Sequence, residues 1–352
     1  IVDLKCFSGG VKAWNERHKA KCYKCGYCGQ VLYPEEYLSL GGKNRMGRSR
    51  SGENLDVWCV YNKIALSLSL RQIVAGIQDV FGLSCHNTTV ANALRKAAQK
   101  YQSTYLELID ELRSSVVIHA DETWVSLATG SRRRGYIWTF ANMENAVYKF
   151  SLTREADTPT EMLQDFSGVL VSDFYRAYDS LECTQQKCLV HLVRNMNDDI
   201  FKNPLDAELK TMVAAFGVLL RSIVETIDRY GLKKRHLNKH RKNVDRFYRE
   251  ELEREFASET AKRYQKRMRR YRERLFVFLE HDGVPWNNNN AENAIKTFVV
   301  RRKFAGAFSV SRIDEYLILL SILQTLRYRD ASFFEFLRSG ETDIDKFCHT
   351  RR

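Results

Sequence analysis

At 352 residues, 44% hydrophobic and 12% aromatic, the chain can bury a full core, and its composition excludes a disordered polyelectrolyte. Its 56 lysines and arginines outnumber 43 aspartates and glutamates for a net charge of +13, a balance that suits a polyanion, nucleic acid above all. No apolar run reaches the ~20 residues of a membrane helix and no secretory leader is visible, so the expectation is a cytoplasmic protein whose nine cysteines stay reduced.

Residues 1–40 hold Cys6, Cys22, Cys25 and Cys28. The run Cys25-Gly26-Tyr27-Cys28-Gly29 has the spacing and trailing glycine of a zinc knuckle, which lets two thiolates reach one tetrahedral ion. A closed site takes four ligands. Cys6, His18 or Cys22 completes the set, or a second knuckle lies upstream of Ile1. The expected ion is a structural Zn²⁺ on Cys6, Cys22, Cys25 and Cys28, with unligated thiols as the alternative. Residues 41–60 read as a basic linker, its glycine-rich part running from Gly41 to Gly52.

Residues 61–113 turn helical. Leu70, Ile73, Val74, Ile77, Val80 and Phe81 recur at helical steps, Gly82 breaks the run, and Val90, Ala93, Leu94 and Ala97 follow behind an Asn87 or Thr88 cap. Helix, glycine turn and helix make a helix-turn-helix layout, with Thr89, Asn92, Arg95 and Lys96 on the face offered to a DNA groove. An ordinary helical hairpin has the same pattern. A further helix spans Tyr101 to Arg113.

From residue 114 to 202 the pattern is α/β. Strands are expected at Val116–Asp121, Gly135–Phe140, Ala146–Leu152, Gly168–Ser172 and Gln186–Val190. A helix should start at Thr158-Pro159-Thr160-Glu161, with Thr158 as cap and Pro159 at the first position. Three meandering strands, a helix and a fourth strand form the order of an RNase H-like domain. In it the first and fourth strands lie side by side, bringing Asp121 and Asp173 together at neighbouring strand ends. Residues 203–284 read as a basic helical insertion, and residues 285–340 as the second part of the core.

Glu292 follows a run of asparagines where a helix should begin, with Asn290 as the cap. Asp179, Asp198, Asp199 and Asp282 compete with it as third carboxylate, and Glu122 is a bystander beside Asp121. Asp121, Asp173 and Glu292 together suit two hard divalent cations, Mg²⁺ or Mn²⁺, gripping a phosphodiester. Cys188 and His191 have ligand-like spacing but supply only two groups, so a buried Cys188 and a His191 facing the site are expected. Lys296, Arg301, Arg302 and Lys303 form a basic rim. Ser311 should cap a last helix running to Arg327, and the tail, residues 341–352, is polar.

These residues carry a resemblance. His119-Ala120-Asp121-Glu122-Thr123 and Gly168 through Tyr178 resemble the first two acidic motifs of IS66-type insertion-sequence transposases. Lys187 through Arg194 resembles their next motif, Asn287 through Lys296 their glutamate motif, and Arg302 through Phe308 the basic stretch downstream. The resemblance implies a prokaryotic, nucleoid-associated DDE transposase with an RNase H-like (retroviral-integrase-like) core. It implies Asp121, Asp173 and Glu292 as ligands of two Mg²⁺ or Mn²⁺ ions, supported by His191, Arg194 and Asn290. It further implies double-stranded DNA partners, transposon terminal inverted repeats cut by hydrolysis, and joining of the 3′-hydroxyl to target DNA. Pairing two ends points to a homodimer on DNA. Two alternatives are a domesticated DNA-binding descendant that no longer cuts and an RNase H-like nuclease that cuts without joining.

Overall fold

The first helix of the chain begins inside the expected linker, on a cap that its own sequence does not supply. The computed structural model describes residues 2–7, 10–15, 21–33, 51–128 and 134–350. They divide into two units, Ile1–Gln102 with Asp330–Arg352, and Ser103–Arg329. In the first unit β1 (Val2–Phe7) and β2 (Gly10–Asn15) pair antiparallel, as do the short β3 (Tyr23–Lys24) and β4 (Val31–Leu32). Helix α1 (Glu53–Ile64) follows, so residues 53–60 are helical. Its third residue, Leu55, donates its amide to Asp3 Oδ1 at 2.8 Å. Asp3 thus acts as a cap supplied from β1. A Cβ on Gly52 would lie 2.2 Å from Asp3, which is why a glycine stands there.

Helices α2 (Leu70–Phe81) and α3 (Asn87–Lys100) confirm the expected helix pair. Ser69 and Gln72 close a capping box on α2, and Gly82 ends it at φ +64°. The buried faces differ in detail. Ile73, Ile77, Val90, Ala93 and Ala98 are buried, whereas Val80 is exposed and Leu94 and Ala97 are half-buried. The residue preceding α3 is His86 rather than Asn87 or Thr88.

The second unit starts at the second residue of α4 (Gln102–Arg113) and continues into a five-stranded mixed sheet. The strands are β5 (Val117–Ser126), β6 (Arg134–Ala141), β7 (Ala146–Ser151), β8 (Val169–Ser172) and β9 (Thr184–Lys187), in the order β7-β6-β5-β8-β9. The first three are antiparallel, while β8 runs parallel to β5, and β9 to β8. This arrangement is compatible with an RNase H-like core. Between β7 and β8 lies α5 (Asp157–Met162), whose cap position is Ala156, not Thr158. Pro159 is its third residue, a place where a missing N–H costs nothing because first-turn amides have no partner within the helix.

The expected fifth strand is displaced. It ends at Lys187, and α6 (Leu189–Lys202) starts behind Cys188. Leu189, Leu192 and Met196 are buried at helical spacing, a period too long to show in the short apolar run before them. The insertion is helical as expected, with α7 (Ala207–Tyr230), α8 (Lys234–Leu237), α9 (Arg241–Glu251), α10 (Glu259–Arg270) and α11 (Arg272–Leu275). Its Leu209, Met212, Phe216, Phe247 and Met268 share one core with Val169 and Val171 of the sheet and Leu189 and Leu192 of α6.

Helix α12 (Asn289–Ala305) packs on β5 and β6, and α13 (Ile313–Tyr328) lies along β7. Helix α13 starts behind Arg312, and Ser311 instead exchanges a hydrogen bond with Ser309. Its Thr325 and Ser321 hydroxyls accept from the Ala146 and Tyr148 amides at 3.1 and 3.0 Å. These bonds occupy the open edge of β7, which would otherwise template another strand. The chain then returns to the first unit in α14 (Phe333–Ser339) and α15 (Ile344–His349). The expected polar tail therefore contains buried Ile344 and Phe347. Phe336 stands 5.2 Å from Phe347 and 5.3 Å from Tyr101 between ring centroids.

Candidate active site

Strand register brings the two aspartates level. The parallel ladder pairs Val117 with Val169, Ile118 with Leu170 and His119 with Val171. Two residues further on both strands stand Asp121 and Asp173. Contrary to the expected strand Val116–Asp121, Asp121 does not end its strand. β5 runs on to Ser126 against β6, with Asp121 opposite Thr139, and only the parallel partner stops. Asp121 is thus mounted on a strand hydrogen-bonded on one side, while Asp173 heads the loop that leaves β8.

Strand alternation decides what Asp121 faces. His119 and Thr123 share its face, and both meet the segment of α12: His119 Nδ1 lies 3.1 Å from Asn288 Oδ1, and Arg302 donates to Thr123 Oγ1 at 2.9 Å. Glu292 is in the first turn of that helix, as expected. The cap position, however, is Asn288, and Asn290 lies within the helix. Asn290 instead donates to Asn142 O at 2.6 Å and accepts from Tyr328 OH at 2.8 Å. Asn288 is fully buried. Its side chain donates to Ala120 O at 2.8 Å, and its amide donates to Cys188 Sγ at 3.2 Å. This one residue fastens the start of α12 both to β5 and to the start of α6.

Among the described residues, Glu292 Oε1 and His191 Nδ1 are buried side-chain atoms with no hydrogen-bond partner. His191 Nε2 lies 3.6 Å from Glu292 Oε1. Arg194, one turn along α6, is exposed. The Asp121 carboxyl is pushed up to about 7, first by burial and then by the negative charges of Glu122, Asp173 and Glu292. A hydrogen bond from the Glu122 amide to Asp121 Oδ1 at 2.9 Å opposes that shift. Asp173 Oδ1 accepts from the Tyr175 amide at 2.8 Å.

Glu122 belongs to a different network. Its side chain is 1% exposed and accepts from Tyr178 OH at 2.6 Å and from the Arg154 guanidinium. Burial raises its carboxyl, with Asp173 adding to the shift. Arg154 lies 3.9 Å over the Tyr175 ring, whose hydroxyl donates back to Arg154 O. Glu122 thus holds the loop that carries Asp173. Sequence reasoning did not single out Arg154, Tyr175 or Tyr178, although the aromatic run behind Asp173 marks that loop. Lys187, also missed, is fully buried 3.2 Å from Asp179, and burial lowers its ammonium pKa. Arg270, Arg274 and Tyr271 of the insertion bind the same Asp179.

The rival carboxylates are therefore engaged elsewhere or remote. Asp179 sits in that ion network, Asp199 is bound by Arg263 and Tyr264 at 2.6 Å each, Asp282 accepts from the Lys234 amide, and Asp198 is exposed. In the basic rim Lys296 and Lys303 are exposed and Arg302 is half-buried. Arg301 departs from expectation. It is buried and donates to Thr297 O at 2.8 Å, so it is turned away from the surface. On α3, Asn92, Arg95 and Lys96 are exposed and Thr89 is half-buried, with Lys96 paired to Asp56 at 2.6 Å.

Among the described residues, no group of three or more His, Cys, Asp or Glu is placed to hold a metal ion. The carboxylate cluster nevertheless fits a divalent cation in its chemistry. Its donors are hard oxygens, one of them is buried and unpartnered, and its charges are close enough to raise Asp121. In the amino-terminal hairpin, the Cys28 and Tyr27 amides and the Cys28 side chain lower the Cys25 thiol pKa. The Cys6 side chain and His18 lie outside the described residues.

A sequence profile described as the Transposase IS66 family matches residues 48–312. No curated protein matches the chain.

Proposed function

This chain belongs to the IS66 transposase family, and from that premise we propose that it binds the terminal inverted repeats of its element, cuts them by metal-dependent hydrolysis and joins the 3′-hydroxyl to target DNA. The observation that carries the reading is the level register of Asp121 and Asp173, with Glu292 and its unpartnered oxygen on the helix packed against the same strand. We read the sheet as an RNase H-like core interrupted by the helical insertion. Asp121, Asp173 and Glu292 would hold two Mg²⁺ or Mn²⁺ ions. Such ions lower the pKa of an attacking water or hydroxyl and neutralise charge on a leaving oxygen.

The chain's own residues supply position. Asn288 fixes the helix that carries Glu292, Glu122 and Arg154 fix the loop that carries Asp173, and His191 borders Glu292 from α6. Lys296, Arg302 and Lys303 are in our reading phosphate contacts. The α2–α3 pair serves as a helix-turn-helix presenting Thr89, Asn92, Arg95 and Lys96, and a Zn²⁺ knuckle on Cys25 and Cys28 steadies the amino-terminal segment. Two ends would be held by a homodimer.

The test uses labelled DNA from the borders of the element, with wild type and Asp173→Asn, each with Mg²⁺ and with chelator. The expected result is metal-dependent 3′-end cutting followed by joined products, both lost in the variant. Cutting without joined products points to a simple nuclease. Tight binding without cutting under any metal points to a DNA-binding descendant.

A further inference from the structure

The surface changes character three residues past Asp121. Trp124 stands ~10 Å further along the extended strand, its Cβ on the face opposite Asp121, where β5 has no parallel partner, and it keeps 45% of its surface exposed. Two guanidinium groups attend its ring, Arg302 at 4.1 Å and Arg134 at 5.4 Å from the centroid. Arg302 is held in place by its bonds to Thr123 Oγ1 and to the Trp124 carbonyl, leaving further N–H donors for a ligand. Nearby, the last turn of α12 exposes Lys303, and Phe304 at 73%. After α12 the chain turns at Gly306, with φ +71°, and runs beside the end of β5. The Phe308 amide donates to Ser126 O at 2.8 Å and the Ala128 amide to Phe308 O at 2.9 Å. Strand end and helix end are therefore stitched into one surface.

Cation–π contact with the two guanidinium groups accounts for part of the ring. It does not account for the exposed remainder, or for a second open aromatic beside a lysine. Open π-faces set among cations suit unpaired nucleobases, because the rings take the base and the cations take its phosphate. An intact duplex offers phosphates and base edges, since each base face is covered by its neighbour. We propose that Trp124, framed by Arg302 and Arg134, stacks an unpaired base of the DNA strand adjoining the carboxylates, with Phe304 and Lys303 continuing the strand's path. The inference rests on the reading of the protein as a DNA-end-processing enzyme. It adds that the DNA is held with its strands locally parted.

The experiment compares two labelled element ends, one fully paired and one with unpaired terminal nucleotides, each carrying 2-aminopurine near the end. Full-length wild type, Trp124→Phe, Trp124→Ala and Arg134→Ala are titrated with both. Wild type should favour the unpaired end and quench the probe. Trp124→Ala should lose between about fivefold and a hundredfold of affinity for that end, the range one base stacked on an aromatic ring supplies. Trp124→Phe should retain most of it, exposed Arg134→Ala should lose part of it, and the paired end should bind all four alike. Equal binding of both ends by wild type would overturn the proposal. So would an unquenched probe, or a Trp124→Ala protein that keeps the preference or weakens on both ends alike. Failure of wild type to bind either end would instead remove the DNA-end reading beneath it.

Discussion

Asp121 is under opposing demands. To hold a metal ion as proposed it must be charged, yet burial and three neighbouring carboxylates push it up to about 7. An unfolded aspartate titrates at about 3.9. With the folded value raised, its contribution to stability is complete below that unfolded value and is lost as pH rises through about 7. In chelator, the melting temperature should therefore fall between pH 5 and pH 8. Asp121→Asn should flatten that fall and melt higher than wild type at pH 8, while abolishing cutting. Thermal scans at several pH values check it, and parallel wild-type and variant profiles would refute it. His119 has the opposite sign. Burial lowers it to about 4, so its contribution is present above about 6.5 and is lost as pH falls through about 4. At this scale the three carboxylates were legible because each ends an apolar run or opens a helix. Asn288 was not, because the run of four asparagines conceals which one is buried. The loop holders Arg154, Tyr175 and Tyr178 were hidden for another reason, since their partner Glu122 lies far away in sequence.

Elements were legible where their signals are local. The capping box on α2 and the glycine that ends it lie in adjacent residues, and the helix was expected there. Helix α1 was missed because its cap, Asp3, comes from β1. The β9–α6 boundary was misplaced because Cys188, Leu189 and Val190 suit a strand until Leu192 and Met196 reveal the longer period. The joint at Asn288 yields a prediction at the same scale. Asn288→Ala removes a donor from Ala120 O and a partner from His119, both buried, at a cost of about 1–3 kcal/mol per group left unsatisfied. The denaturant midpoint should drop. The cutting rate should fall about tenfold or more through loss of position, with DNA affinity unchanged. A variant that lost stability but cut at the wild-type rate would show that the helix needs no such fastening.

For the whole molecule, the excess of positive charge predicts DNA binding that weakens steeply with salt. Each neutralised phosphate adds about 0.9 to the slope of log affinity against log salt. Lys296→Ala and Lys303→Ala, both exposed, should each lower that slope by about one. Arg301→Ala should leave it unchanged, because Arg301 faces the interior. A filter-binding series over salt distinguishes the two cases. The sequence alone could count these charges, but it could not say that one of the four candidates points inward.

The first unit draws on both Ile1–Gln102 and Asp330–Arg352, with the second unit strung between them. During translation at ~5–20 residues per second, the roughly 120 residues from Asp173 to Glu292 take about 6–24 s to emerge. Through that interval a nascent chain carries two of the three carboxylates and lacks the third. Helices α14 and α15, whose Phe336 and Phe347 complete the packing around Tyr101, emerge later still. A product truncated before them would expose that aromatic cluster and become a substrate for quality-control proteases. On the proposed function, an unfinished copy cannot complete the carboxylate set, and so cannot nick DNA, until Glu292 has emerged.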